Sequence, residues 1–237
     1  MKILAIETSG REGTVALLCE GQLVAQGPLQ QTGQRHAQRI VAEIGLLLEE
    51  GAVQPDQIDV VAVSQGPGSF TGLRVGYTCA KTFCYASNAR LVTVPTFAVL
   101  ARQAGNSEGH QTLWTLEDAQ RDELFAQPWQ QGHTGWQPLS DISLVDREEF
   151  QEQRSPADLL IGPVVVGWSP DLTSATLLQR PEQATPQANT VALIAESMAK
   201  AGDFADVWTA KPLYIRLSAA EEKRLREQPA APSVTPD

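Results

Sequence analysis

The sequence predicts an α/β fold whose first lobe opens on an antiparallel meander and then alternates helices with buried strands. Three observations predict it. Two apolar segments, residues 2–7 (KILAIE) and 14–18 (TVALL), bracket a turn-rich loop from Thr8 to Gly13, the pattern of a hairpin. The apolar period then changes. Over 35–50, Ala37, Ile40, Val41, Ile44, Leu47 and Leu48 form the i, i+3, i+4 stripe of an amphipathic helix. Next, 58–64 (IDVVAVS) is a continuous apolar run rich in β-branched residues, suited to a strand covered on both faces.

The remaining elements follow in order. A third strand is expected over 22–29, after the turn signal Glu20-Gly21, and Gly51 stands where the first helix needs a C-terminal cap. After IDVVAVS come the turn GPGSFTG, a helix over 71–87, a strand (LVTVP) ending at Pro95 and a helix over 96–104. Strands alternating with helices would say only α/β. The opening meander narrows this to the unit known as the ribonuclease-H-like or actin-like half, assigned to residues 1–105. A smaller, degenerate second lobe is expected over 106–218. It has strands at 112–118 and 123–129, a Gln-, Gly- and Pro-rich stretch through 140, and an apolar strand within 158–166 broken by Gly162-Pro163. A helix over 189–201 follows, with Asn189 as N-cap and Gly202 as stop, and then an extended segment at 211–217. In 219–237 mixed charge gives way to Pro, Ala and Ser, so this stretch is expected to be a disordered tail.

Charge excludes one class of function. The 237 residues carry a net charge of -10, which argues against a broad phosphate-binding surface. If the protein acts in RNA metabolism, another component holds the RNA. No apolar run approaches the roughly 20 residues of a membrane span. The N-terminal apolar run is interrupted by Glu7 and reads as a strand, not a signal peptide. Cys19, Cys79 and Cys84 read as reduced thiols of a cytoplasmic protein.

Residues 66–76 carry the most information. Gly66, Pro67, Gly68, Ser69, Phe70 and Thr71 form a glycine-rich turn between a buried strand and a helix. Such a turn can bind phosphate through free backbone N–H groups, or it can simply be tight. No lysine followed by Ser or Thr closes it as a P-loop. Beyond the turn, Gly72, Gly76, Ala80 and Cys84 are spaced by four, so small side chains line one helix face. A bare stripe admits another backbone at a cost in helix propensity of roughly 1 kcal/mol per glycine. The preceding helix has Ala37, Val41 and Gly45 at the same spacing. Either the two helices present a groove to a partner, or they pack only on each other and their own sheet.

The segment SQGPGSFTGLRVG resembles the signature of the TsaB (YeaZ) family. So do the opening ILAIETS and TVALL, Arg35-His36 before the first helix, DAQRDELF and KPLYIR. The resemblance is strong over about 1–125, thin through 130–205, and returns at 211–216. It implies the actin-like (ASKHA) fold, two lobes with the second reduced, and a heterodimer with a catalytic relative, TsaD, through the first two helices of each protein. With the ATPase TsaE, that pair transfers threonylcarbamoyl to the adenosine beside the tRNA anticodon. Carried over by position, the partner-binding residues are Ala37, Val41, Gly45, Gly72, Leu73, Gly76, Ala80 and Phe83. The implied role is a scaffold with no cofactor, no membrane contact and tRNA met only through the complex, and the isolated chain is expected to form a homodimer.

The chemistry of an enzyme is not legible. His36, His110 and His133 include no pair four apart on a helix, and no Cys-x-x-Cys is present. Ser69 within Gly-x-Ser faintly echoes a nucleophile elbow, but the order is not Gly-x-Ser-x-Gly. Glu7, Thr8 and Ser9 stand where an actin-like first phosphate loop begins. Glu7 could hold water on a magnesium ion or accept hydrogen bonds within a hairpin turn. The alternative to a scaffold is therefore an actin-like ATPase or small-molecule kinase.

Overall fold

The computed structural model describes residues 1–29, 36–105, 110–168, 176–177 and 181–216. Strands β1 (Lys2–Glu7), β2 (Thr14–Cys19) and β3 (Gln22–Pro28) form the meander, followed by α1 (His36–Glu50), β4 (Val60–Gly66), α2 (Phe70–Ser87), β5 (Arg90–Pro95) and α3 (Thr96–Ala104). The sheet order is β3-β2-β1-β4-β5, antiparallel within the meander and parallel from β1 through β4 to β5. Glu20 and Gly21 both take positive φ, 50° and 76°, as a tight two-residue hairpin turn requires.

Alternation explains the continuous apolar strands. Leu4, Ile6, Val61 and Val63 point to a core shared with Ile40, Ile44 and Leu47 of α1 and Tyr77 and Ala80 of α2. Ile3, Ala5, Val60 and Ala62 point to the opposite face. Both faces are covered, so every position must be apolar.

The second sheet is built from β6 (Thr112–Gln120), β7 (Glu123–Gly132), β8 (Gly135–Pro138), β9 (Ser143–Asp146), β10 (Leu159–Ile161) and β11 (Thr176–Leu177), with the short helix α4 (Arg147–Gln153) between β9 and β10. Its order is β11-β10-β6-β7-β8, with β9 also paired to β7. Antiparallel strands lie on one side of β6, and parallel β10 and β11 lie on the other. This repeats the arrangement of the first sheet, with the parallel edge cut to strands of 3 and 2 residues. The fold is a pair of actin-like halves, the second reduced. The break at Gly162 is steric: its φ is 147°, and a Cβ there would lie 1.8 Å from Leu116 O.

The chain then returns through α5 (Pro181–Ala184) and α6 (Ala188–Lys200), which corrects the expected second lobe of 106–218. Ala188, Val191, Ala192 and Ala195 of α6 cover the bare face of the first sheet, which would otherwise leave Ile3, Ala5 and Ala62 in water. Gln187, not Asn189, occupies the N-cap of α6; the Asn189 side chain instead accepts from Thr190 N at 2.7 Å. Gly202, with φ 79°, follows the helix end. Beyond it, Ala205 N donates to Leu91 O and Leu213 N to Gln65 O, each at 2.8 Å. Sequence reading missed β8, β9 and α4, which lie in the Gln- and Pro-rich stretch and just beyond it. Arg35 and the expected tail at 219–237 lie outside the described residues.

Candidate functional site

Glu7 ends β1 and is buried. Its carboxylate accepts from Ser9 N and Ser9 Oγ, each at 2.5 Å, and from Ser64 Oγ of β4. Loss of water raises its pKa above the ordinary carboxylate range, while the bonds from Ser64 and Ser9 oppose that shift. Thr8 and Ser9 are buried as well, because the turn at 66–71 closes over them. Ser69 N donates to Ser9 O at 2.7 Å. Gly68, with φ 154°, passes so close that a Cβ would stand 2.5 Å from that same oxygen. Ser69 is the N-cap of α2, its side chain accepting from Gly72 N at 3.2 Å. That is a structural role, with its hydroxyl turned to the helix end.

The small-residue stripe faces inward. A Cβ on Gly72 would lie 2.0 Å from Thr8 O, and one on Gly76 would lie 2.2 Å from Thr8 Oγ1. Leu73, Ala80 and Cys84 are buried beside them. A bare stripe does admit another backbone, but that backbone is the chain's own β1–β2 loop. Gly72, Leu73, Gly76 and Ala80 are therefore withdrawn as partner-facing residues: they bring α2 down onto β1 and β4.

Between the lobes lies a cleft of about 980 Å³, walled by the β1–β2 loop from Ser9 to Glu12, the turn at Pro67–Phe70, the β6–β7 hairpin and the segment 213–216. At the hairpin tip Gln120, Arg121 and Asp122 all have positive φ, 65°, 58° and 62°, a left-handed run that non-glycine residues seldom adopt. Glu117 of β6 lines the cleft, with Oε2 enclosed and, among the described residues, lacking a hydrogen-bond partner. Burial, reinforced by the negative charges of Asp118 and Glu7, pushes its pKa up to about 8.

The C-terminal segment straps this cleft. The Arg74 guanidinium lies 4.0 Å from the centre of the Phe70 ring, and Arg74 Nε donates to Tyr214 Oη at 3.1 Å. Arg216 donates to Ala119 O at 2.7 Å and pairs with Glu123. The three motifs GPGSFTGLRVG, DAQRDELF and KPLYIR thus meet at one junction. Each was visible in the sequence, but their meeting was not.

Two of the amides that a phosphate loop could use are already spent within the chain. Such a loop needs free N–H groups aimed at the anion. Here Ser9 N is bonded to Glu7 and Ser69 N to Ser9 O, and the Glu7 carboxylate is turned inward. Among the described residues no three His, Cys, Asp or Glu side chains are grouped to hold a metal ion.

The outward face of α1 and α2 has a different character. Ile40, Ile44, Leu47 and Leu48 are buried, but Val41 is 74% exposed and Leu46 56%. Gly45 lies between them with open space around it. Across from them α2 offers exposed Thr78 and Thr82 and half-buried Val75, Cys79 and Phe83. Burial lifts the Cys79 thiol to about 11, so it is an apolar contact and not a thiolate. Of the expected partner-facing residues, Val41 and Gly45 are open and Phe83 partly so; the side chain of Ala37 lies outside the described residues. Among the described residues no helix is long and apolar enough to cross a membrane.

A family model described as TsaD, tRNA N6-adenosine threonylcarbamoyltransferase, matches residues 30–138, the span that holds α1 and α2. The tRNA threonylcarbamoyladenosine biosynthesis protein TsaB of Escherichia coli K12 is 28% identical over 228 residues, covering 94% of this chain and 98% of that protein. The TsaB protein of Bacillus subtilis 168 is 26% identical, covering 96% of this chain and 100% of its own length. In structure, YeaZ from Pseudomonas aeruginosa superposes with a TM-score of 0.74 at 23% identity, over 90% of this chain and 99% of that one.

Proposed function

We propose that this chain, a member of the TsaB (YeaZ) family, serves the biosynthesis of threonylcarbamoyladenosine in tRNA as the non-catalytic partner of a TsaD-type transferase. The observation that carries this reading is the exposed apolar face of α1, with Val41 and Leu46 in water beside the half-buried α2. An exposed apolar patch of this kind marks an association surface. The transferase family model matches the part of this chain that builds that face. A related protein can therefore present the same pair of helices in return, giving a quasi-symmetric contact. A second copy of this chain could use the face in the same way when the partner is absent.

The non-catalytic role is supported by the junction beneath α2, where Glu7 and the backbone amides of Ser9 and Ser69 are spent on internal hydrogen bonds. The net charge of -10 favours leaving tRNA to the transferase; a TsaE-type ATPase takes the third place in the proposed cytoplasmic complex. Light scattering on the chain mixed with the transferase of its own organism tests the reading. A one-to-one complex is expected, lost on Val41→Glu or Leu46→Glu with melting temperature unchanged. No complex, with both proteins folded and TsaE and nucleotide supplied, would move the ATPase or kinase alternative forward. Calorimetry with Mg-ATP then decides that alternative.

A further inference from the structure

Helix α2 has α1 on one side and the segment 205–214, which turns at 207–209, on the other. Along that second side stand two rings that the core does not use. Tyr85 is 74% exposed and Trp208 72%, and they meet edge to face with centroids 5.6 Å apart. Rings of this size bury 150–250 Å² when covered, so leaving both in water forgoes a large apolar gain. The turn that carries Trp208 is held by hydrogen bonds. The Asp206 carboxylate accepts from Trp208 N at 2.9 Å and from Thr209 N at 2.8 Å. Lys81 Nζ donates to Trp208 O and Ala210 O, each at 3.1 Å.

Two rings that already pack on each other, on a hydrogen-bonded turn, have less freedom to lose when covered, and Trp and Tyr are enriched among the residues that carry interface energy. Tyr85 also continues the exposed face of α2. It follows Thr78 and Thr82 by seven and three residues, so all three point to one side. Trp208, packed edge to face on Tyr85, extends that side of α2. Trp208 lies outside the span shared with the transferase family model.

We infer that Tyr85 and Trp208 form a third ridge of the partner face and anchor the transferase there. The inference rests on the pairing reading above. The occupant is the folded transferase, presenting an apolar pocket to the indole. Titration calorimetry of the full chain with that protein tests it, using wild type, Val41→Glu, Trp208→Ala and Tyr85→Ala, each checked by thermal melting. Trp208→Ala is expected to weaken the complex tenfold or more, which is about 1.4 kcal/mol, with an unchanged melting temperature. Trp208→Phe should recover part of the loss. Affinity of Trp208→Ala within twofold of wild type, in a chain that Val41→Glu still disables, would overturn the anchor alone. Absence of any complex with wild type would overturn the pairing reading and the anchor with it. Should Trp208→Ala melt early, Tyr85→Ala, which leaves the Asp206 and Lys81 support intact, decides in its place.

Discussion

Thr8 occupies the space that a side chain on Gly76 would need: a Cβ there would lie 2.2 Å from Thr8 Oγ1 and 3.4 Å from Thr8 Cβ. The contact locks the end of β1 under α2. Gly76→Ala should then act as overpacking and cost about 1–3 kcal/mol, lowering the melting temperature by about 2–4 °C per kcal/mol in a chain of this size. Gly76→Arg should fail to fold, and its failure to bind a partner would report on the fold and not on the interface. Circular dichroism melting of the two variants checks this; a Gly76→Ala protein that melts with wild type would refute the packing account.

Gly45 shows the opposite case. It sits in the middle of α1, and among the described residues an added Cβ meets nothing within 4 Å. Gly45→Ala should stabilise the isolated chain by about 0.5–1 kcal/mol through helix propensity. Gly45→Arg should melt close to wild type yet lose the transferase, since the new side chain stands on the proposed contact face. Melting and light scattering on the same preparations separate the two effects.

These two glycines also show how far a sequence can be read. Four-residue spacing gives a stripe on a helix but not the side to which it turns. The spacing of Gly72, Gly76 and Ala80 fits a groove for a partner as well as it fits a seat for Thr8. Only the sheet order, with β1 between β2 and β4, decides for Thr8. The meander and the parallel strands were legible because two-sided burial leaves a continuous apolar run. The short β8 and β9 were not, because Gly, Gln and Pro dominate there and pairing with β7 supplies what local propensity lacks. Covering of the first sheet by α6 was hidden for a related reason: an amphipathic pattern does not name the sheet it packs on. The junction of Arg74 with Tyr214 spans 140 residues, beyond the reach of any local pattern.

That junction yields a third prediction. Tyr214→Phe removes the acceptor for Arg74 Nε but keeps the ring against Phe70, whose centroid lies 4.9 Å away. Because both Arg74 and Tyr214 are exposed, the loss should fall near the low end for a hydrogen bond, about 0.5 kcal/mol. Arg74→Ala also removes the cation over Phe70 and should cost about 1 kcal/mol. A double-mutant cycle in urea should return a coupling of about 0.5 kcal/mol. Additive effects would mean that the strap is held at Gln65 and Glu123 and not at Arg74.

Stability should fall as pH rises towards 8, and Glu117 is the reason. Its pKa is pushed up to about 8 in the folded chain from 4.5, and Glu7 is shifted in the same direction. Below about pH 4.5 the carboxyl is protonated whether the chain is folded or not, and it contributes no slope. Between that value and about 8 the unfolded chain releases the proton while the folded chain keeps it. The folded state then binds more protons, so unfolding becomes easier with each step up in pH. Above about 8 both states are ionised and the loss is complete. Glu117→Gln cannot ionise, so it should lack this part of the slope and gain on wild type steadily from pH 5 to pH 8. Melting curves of both proteins at pH 5, 6.5 and 8 measure the gap. A gap that widens with pH places the enclosed carboxyl lining the cleft in its neutral form. Parallel curves would mean that water reaches Oε2.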